Sequence, residues 1–171
     1  MPKQFSEEAI RSDGGRTIAY LDGWKQRLEE WNATGPFRIV ICRPDKGVIW
    51  SLDPGTKTYT RTKFPKNFGR LLKAATLLEG IDWIIDGAEI VDGRRCRRFL
   101  GRYRNSDGPA GKAHQICLVD AKTGMRRRMV TFDKNGKKAL TVDCVNAVVG
   151  PPPRKLFDMP EGYKRAYHRR R

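Results

Sequence analysis

Apolar and polar residues alternate in short runs along most of this chain, and turn residues close each run, so the dominant period is two and the expected element is the β-strand. Ser12-Asp13-Gly14-Gly15 separates two such segments, the second running from Arg16 through Tyr20-Leu21 to Asp22-Gly23. In Trp24 to Trp31 the spacing of Trp24, Leu28 and Trp31 fits a helix, while the flanking segments favour extension; the segment is read as a strand. Phe37 to Ile41, Val48 to Leu52 and Lys57 to Lys63 then form an antiparallel meander, turned at Arg43-Pro44-Asp45-Lys46-Gly47 and at Asp53-Pro54-Gly55. The third of these sets Thr58, Thr60 and Thr62 against Tyr59, Arg61 and Lys63, the alternation of a β surface with one polar face.

One segment has the other period. Phe68, Leu71, Leu72, Ala75 and Leu78 recur at three- and four-residue steps between Asn67, a suitable N-cap, and Gly80, just past the end. These features predict a helix over 67–78, with an apolar stripe that plugs one face of the sheet or lids a cavity. Strands are expected again over Ala88 to Val91, Arg94 to Arg104, His114 to Val119, Met125 to Phe132 and Lys138 to Val148, joined by turns that include Asp92-Gly93, Thr123-Gly124 and Asn135-Gly136. Asn105 to Gly111 reads as a loop, and Pro151-Pro152-Pro153 ends the last long strand.

Charge changes the picture. The 171 residues hold 35 Lys plus Arg against 19 Asp plus Glu, a net +16. Residues 1–89 account for 14 basic and 12 acidic side chains, whereas residues 90–171 hold 21 and 7. The second half therefore points to an anionic partner: nucleic acid, a phosphorylated head group or an acidic protein. With 39% hydrophobic residues the chain has enough apolar content for a folded core. No apolar run reaches the roughly 20 residues of a membrane-spanning helix, and the first residues lack the apolar stretch of a signal peptide.

Catalytic chemistry has few footholds. His114 and His168 are the only histidines and sit in no metal-binding or nucleophile spacing, and Gly108 to Lys112 lacks the spacing of a phosphate loop. Asp82 and Asp86, with Glu79 and Glu89, read as a solvated acidic rim. Cys42, Cys96, Cys117 and Cys144 are 54, 21 and 27 residues apart, which gives no zinc motif and leaves both buried thiols and one or two disulfides open. No enzyme, cofactor or metal is expected. Arginines are the strongest signal: Arg94, Arg95, Arg97, Arg98, Arg102 and Arg104 lie within eleven residues, and Arg126, Arg127 and Arg128 form a second cluster. If the two strands are neighbours, their guanidiniums form one broad cationic surface.

Four stretches, Arg43 to Arg61 (RPDKGVIWSLDPGTKTYTR), Val91 to Phe99 (VDGRRCRRF), Cys117 to Val130 (CLVDAKTGMRRRMV) and Val148 to Lys164 (VVGPPPRKLFDMPEGYK), together resemble the outer-membrane lipoprotein-carrier superfamily (LolA/LolB-like), and within it the DUF4412-type branch. The resemblance spans residues 37–165. It implies an α+β fold in which a strongly curved antiparallel sheet, an incomplete β-barrel, carries one or more helices on its concave face. Residues 1–165 then form a single domain, followed by a basic tail, 166–171. Members are normally exported, which implies a periplasmic or envelope-associated protein in mature form.

On that fold the expected ligand is a lipid or the acyl chain of a lipoprotein, lying against Trp24, Ile39, Ile41, Trp50, Leu52, Phe68, Leu71, Leu72, Phe99 and Tyr103. Arg97, Arg98, Arg102, Arg126 and Arg128 are the expected contacts for an anionic head group. The alternative is an envelope scaffold or sensor whose Arg-rich surface binds an acidic protein, an anionic glycolipid or an anionic membrane surface. Nucleic-acid binding ranks third, because on a regular strand Phe99 and Tyr103 face away from Arg98 and Arg102, separating stacking rings from cations.

Overall fold

The computed structural model describes residues 3–64, 81–103 and 114–166. In chain order the strands are β1 (Gln4–Arg11), β2 (Arg16–Asp22), β3 (Lys25–Asn32), β4 (Gly35–Arg43), β5 (Val48–Asp53), β6 (Thr58–Lys63), β7 (Ile81–Val91), β8 (Arg94–Tyr103), β9 (Gln115–Asp120), β10 (Arg126–Phe132), β11 (Lys138–Val149) and β12 (Lys164–Arg165). Two 3-10 turns, Pro44–Lys46 and Arg154–Phe157, complete the described elements. The stretch from Trp24 to Trp31 is thus extended, as β3. The helix predicted over 67–78, and with it Phe68, Leu71 and Leu72, lies outside the described residues, as do 167–171 of the basic tail.

The described chain divides into two compact units, with β1 and β11 split between them. The first holds residues 3–8, 14–64 and 146–166. Its strands hydrogen-bond in the order β12-β6-β5-β4-β3-β2-β1, and β2 to β6 form an antiparallel meander that contains the expected three strands as β4, β5 and β6. Strand β12 departs from the all-antiparallel expectation: it pairs in parallel with β6, Lys164 opposite Thr58 and Arg165 opposite Tyr59. No hairpin can bring a parallel strand to its neighbour, so a crossing connection must do it. Residues 150–163 supply that connection.

This segment is fixed by apolar packing and by two buried arginines. Ile39, Ile41 and Leu52 form a buried cluster with Trp50, Tyr59, Met159 and Tyr163 against it, and Phe157 is fully buried. Burial of a side chain as large as Phe157 contributes about 2 kcal/mol. The Arg27 guanidinium donates to Glu29 at 2.6 Å and to the Leu156 carbonyl at 3.1 Å. Arg43 donates through two nitrogens to Asp45 at 2.8 and 2.7 Å, to the Phe157 carbonyl at 3.0 Å and to Asp158 at 2.7 Å. The two guanidiniums therefore satisfy consecutive carbonyls at the end of the Arg154–Phe157 turn, where Phe157 goes into the interior.

The second unit holds residues 9–13, 81–103 and 114–145. Here β11-β10-β9-β8-β7 form an antiparallel run, again an open sheet in which, among the described residues, β7 pairs only with β8. Val91 pairs with Arg94 around the two-residue turn Asp92-Gly93, both at positive φ, as an Asp-Gly hairpin requires. Two apolar clusters lie here, one of Ala9, Val142 and Cys144 with Met129 and Leu140, the other of Val91, Cys96 and Leu118 with Ile116.

The arginine clamp has a pH signature. The Arg43 hydrogen bonds hold the Asp45 carboxyl at about 2, below its ordinary 3.8, and lower Asp158 as well. A depressed folded-state pKa gives stability that is present above the unfolded value and is lost as pH falls through the folded one. Urea unfolding between pH 7 and pH 2 is expected to show stability falling from about pH 4 to about pH 2, with a shallower fall in Arg43→Ala. At pH 7 the same substitution should cost about 1–3 kcal/mol, since it leaves the buried Phe157 carbonyl without its donor, while Asp45 and Asp158 are exposed and return to water. An unchanged unfolding midpoint would show that the clamp contributes nothing.

Candidate ligand-binding face

Residues directly opposite each other in an antiparallel pair show their side chains on the same side of the sheet. The register of the second unit therefore sorts its side chains into two faces. Trp83 pairs with Gly101, Ile85 with Phe99, Ala88 with Arg97 and Ile90 with Arg95. From β8 the rows continue through Phe99 to Cys117 and Met129, and through Arg97 to Val119 and Arg126. This is an apolar face that carries Arg95, Arg97 and Arg126.

The opposite face carries Arg98, Leu118, Arg128 and Asp143 in one row, with Leu100, Ile116 and Val130 in the next. It is the charged face, and its arginines are committed to carboxylates. Arg98 donates to Asp86 at 2.7 Å and lies 3.1 Å from Glu89. Arg128 donates to Asp143 at 2.5 Å, and that bond holds its guanidinium above the ordinary value. Asp120 accepts the backbone N–H groups of Lys122 and Thr123 at 2.9 Å each, which lower its pKa, and lies 3.4 Å from Arg94 and 3.7 Å from Arg127.

Two features of this sorting differ from the sequence-based expectation. The strands of the two arginine clusters are not neighbours, because β9 lies between β8 and β10. Nor do Arg126 and Arg128 share a face, as two positions two apart on a regular strand would. Arg126 opposes Val119 and Arg128 opposes Leu118, so a bulge at Arg127 absorbs one residue and turns the two side chains to opposite sides. A second bulge, at Asp86-Gly87 of β7, places two residues opposite Arg98 and brings the Asp86 carboxylate to it. Gly87 has φ 104, a conformation a residue with a Cβ rarely adopts.

The predicted lining residues fall in different places. Trp24 stands in the turn before β3, 62% exposed. Ile39, Ile41 and Leu52 are buried and Trp50 partly so, in the first unit under Met159 and Tyr163 of the same chain. Phe99 is on the apolar face, half-buried, and the backbone of Tyr103 pairs with Ile81 beside it. Of the predicted head-group residues, Arg97 is exposed on the apolar face with Arg126, whereas Arg98 and Arg128 lie on the charged face and Arg102 pairs in register with Asp82 there.

Sequence reading passed over Trp83, Ile85 and Ile90, the latter two each 69% exposed. The alternation Ile81, Trp83, Ile85 was the available signal, masked by Ile84 between them. On the charged face, Ile116, Leu118 and Val130 floor a groove of about 380 Å³ rimmed by Glu89, Arg128, Lys138, Thr141 and Asp143. Among the described residues no group of His, Cys, Asp and Glu is placed to hold a metal, and the four cysteines form no disulfide.

No family model and no curated protein matches the chain. Solved structures do. An uncharacterized conserved protein from Thermus thermophilus is 12% identical with a TM-score of 0.69, over 97% of this chain and 91% of that one. MucB is 12% identical with a TM-score of 0.58, over 93% of this chain but only 58% of its own, so the chain spans little more than half of that protein. A LolA superfamily protein from Nitrosomonas europaea is 8% identical with a TM-score of 0.36, over 93% of this chain and 92% of that one. The first two of these matches show a shared fold, while the LolA-like likeness and its DUF4412-type branch stand as the resemblance that the sequence motifs carry.

Gly101 sets how closely β7 side chains settle on the apolar face. A Cβ there would lie 2.8 Å from Ile81 Cγ2 and 3.0 Å from two ring carbons of Trp83. Gly101→Val is expected to lower stability by about 1–3 kcal/mol through overpacking, read as a lower urea midpoint; a midpoint at or above that of the parent chain would show that Trp83 moves aside without cost.

Proposed function

We propose that this chain is a non-enzymatic lipid-binding protein of the bacterial envelope, which takes up a lipid, a lipoprotein acyl chain or another amphiphile on the apolar face of its second unit. The observation that carries the reading is the exposure of Ile85 and Ile90 on a sheet face that also holds Trp83 and Phe99. Contiguous exposed apolar surface of this kind marks a binding site more often than a bare surface. An acyl chain laid across it contributes about 0.8 kcal/mol for each CH₂ removed from water. Arginines on the same face form a basic rim for an anionic head group.

Phe99 belongs to this lining. Ile39, Ile41, Trp50 and Leu52 belong to the first unit, where the segment around Met159 and Tyr163 occupies their side of the sheet. MucB, similar in fold, has been solved in complex with MucA(peri), and an acidic protein partner is the alternative reading here. Against it, Arg98 and Arg128 are already paired with carboxylates of this chain.

Native mass spectrometry of the gently purified chain and uptake of a fluorescent fatty acid test the proposal. Bound amphiphile or saturable uptake is expected. Ile85→Asp with Ile90→Asp should weaken uptake at least about tenfold, the effect of losing one or two apolar contacts of about 1.5 kcal/mol, with little change in melting temperature because both side chains are exposed. No bound amphiphile together with no uptake would overturn the reading.

A further inference from the structure

One end of the first unit is apolar and basic at once. Strand β2 runs toward it and β3 leaves it, with Gly23, at φ 61, and Trp24 between them. The Gly23 N–H donates to the Lys3 carbonyl and the Gly150 N–H to the Gln4 carbonyl, so β1 begins at this end and β11 finishes there with Val148 and Val149. Since β1 lies between β2 and β11, Trp24 and Val149 stand two strand spacings, about 10 Å, apart. Of the chain's four tryptophans Trp24 alone is exposed, and Val148 and Val149 are exposed with it. Exposed apolar side chains gathered in this way mark a contact surface. The charge around them has one sign. Lys3 precedes β1, and Arg154 and Lys155 open the turn whose Leu156 and Phe157 carbonyls are held by Arg27 and Arg43, near the same ends of β3 and β4. The side chains of Lys3, Arg154 and Lys155 are exposed and have no partner among the described residues. The carboxylates placed here are already engaged: Asp22 by Gln4 at 2.7 Å and Lys25 at 3.7 Å, Asp45 and Asp158 by Arg43.

From this juxtaposition we infer that this end of the first unit docks on the surface of an anionic phospholipid bilayer, Trp24 and the two valines entering the headgroup layer while Lys3, Arg154 and Lys155 meet lipid phosphates. An indole ring is apolar in body and polar at its N–H, which suits the boundary between head groups and acyl chains. Cations beside it are drawn to the negative surface and give up no partner of their own to reach it. An acidic protein would meet the cations but set the indole and the valines against charge. The inference goes beyond the amphiphile reading: it concerns the first unit and stands whether or not the face of the second unit takes a ligand.

Co-sedimentation of the full chain with vesicles tests this, with phosphatidylcholine holding an equal share of phosphatidylglycerol set against phosphatidylcholine alone. The parent chain should bind the mixed vesicles at least about tenfold more tightly, and the affinity should fall as salt rises. Tryptophan emission should shift to the blue on those vesicles, and the shift should be lost in Trp24→Phe, which keeps most of the binding. Trp24→Ser, and separately Lys3→Ser with Arg154→Ser and Lys155→Ser, should each weaken binding about tenfold. Melting temperatures should change little, because all four side chains are exposed. Ile85→Asp with Ile90→Asp should leave vesicle binding unchanged, so that loss of docking and loss of amphiphile uptake are read apart. Binding to neither vesicle, equal affinity for both, a blue shift that survives Trp24→Phe, full binding in the Ser variants, or loss of binding in the Ile85 and Ile90 variant overturns the inference. Tighter capture of polyglutamate than of the mixed vesicles also overturns it and assigns this end to an acidic protein.

Discussion

A strand shows each side chain to only one side of its sheet, and the pairing register of β7 to β10 decides which side that is. Everything argued about the second unit depends on this constraint. Arg97 and Arg98 are adjacent in sequence yet stand on opposite faces, one over apolar residues and the other between two carboxylates. A one-residue slip would exchange them, exposing paired charges to the apolar side and stranding Phe99 among ions. The packing of Cys96 and Leu118 on one side, and of Val142 and Cys144 on the other, makes such a slip expensive.

Charge in this protein is therefore arranged rather than merely abundant. The excess of the second half looked like one cationic patch in sequence; in the fold it separates into arginines that are structural and arginines that are available. Arg43 and Arg27 belong to the first group in the first unit, where they hold backbone carbonyls, and Arg98 and Arg128 belong to it in the second. Exposed ion pairs contribute little free energy each, but they fix geometry: the Asp86-Gly87 bulge and the Arg98 guanidinium define each other's position.

Most of the strands were legible because turn chemistry is local. Asp92-Gly93, Thr123-Gly124 and Asn135-Gly136 mark their hairpins in the sequence, and the threonine alternation of β6 marks its polar side. Bulges were not legible. Nothing in Arg126-Arg127-Arg128 distinguishes a regular strand from one that absorbs a residue, since the bulge follows from pairing with β9 and from the carboxylate of Asp120. The covering of Ile39, Ile41 and Leu52 was equally hidden: it is made by residues more than a hundred positions away, and a strong local strand pattern says nothing about which distant segment lies on it. Phe99 and Arg97 could be assigned the same face or opposite faces relative to their neighbours only once the register was known.

The parallel strand β12 has a consequence for how the molecule is made. The segment that delivers it also supplies Met159 and Tyr163 to a core whose other members lie between Ile39 and Tyr59. Contacts of such long sequence separation form late, after loop-closure entropy has been overcome. During synthesis the β3–β6 meander therefore waits, with its apolar side bare, while roughly a hundred further residues emerge at ~5–20 residues per second. For those seconds the nascent chain presents the kind of surface that chaperones shield, and the arrival of the segment carrying Met159 and Tyr163 is what ends its exposure.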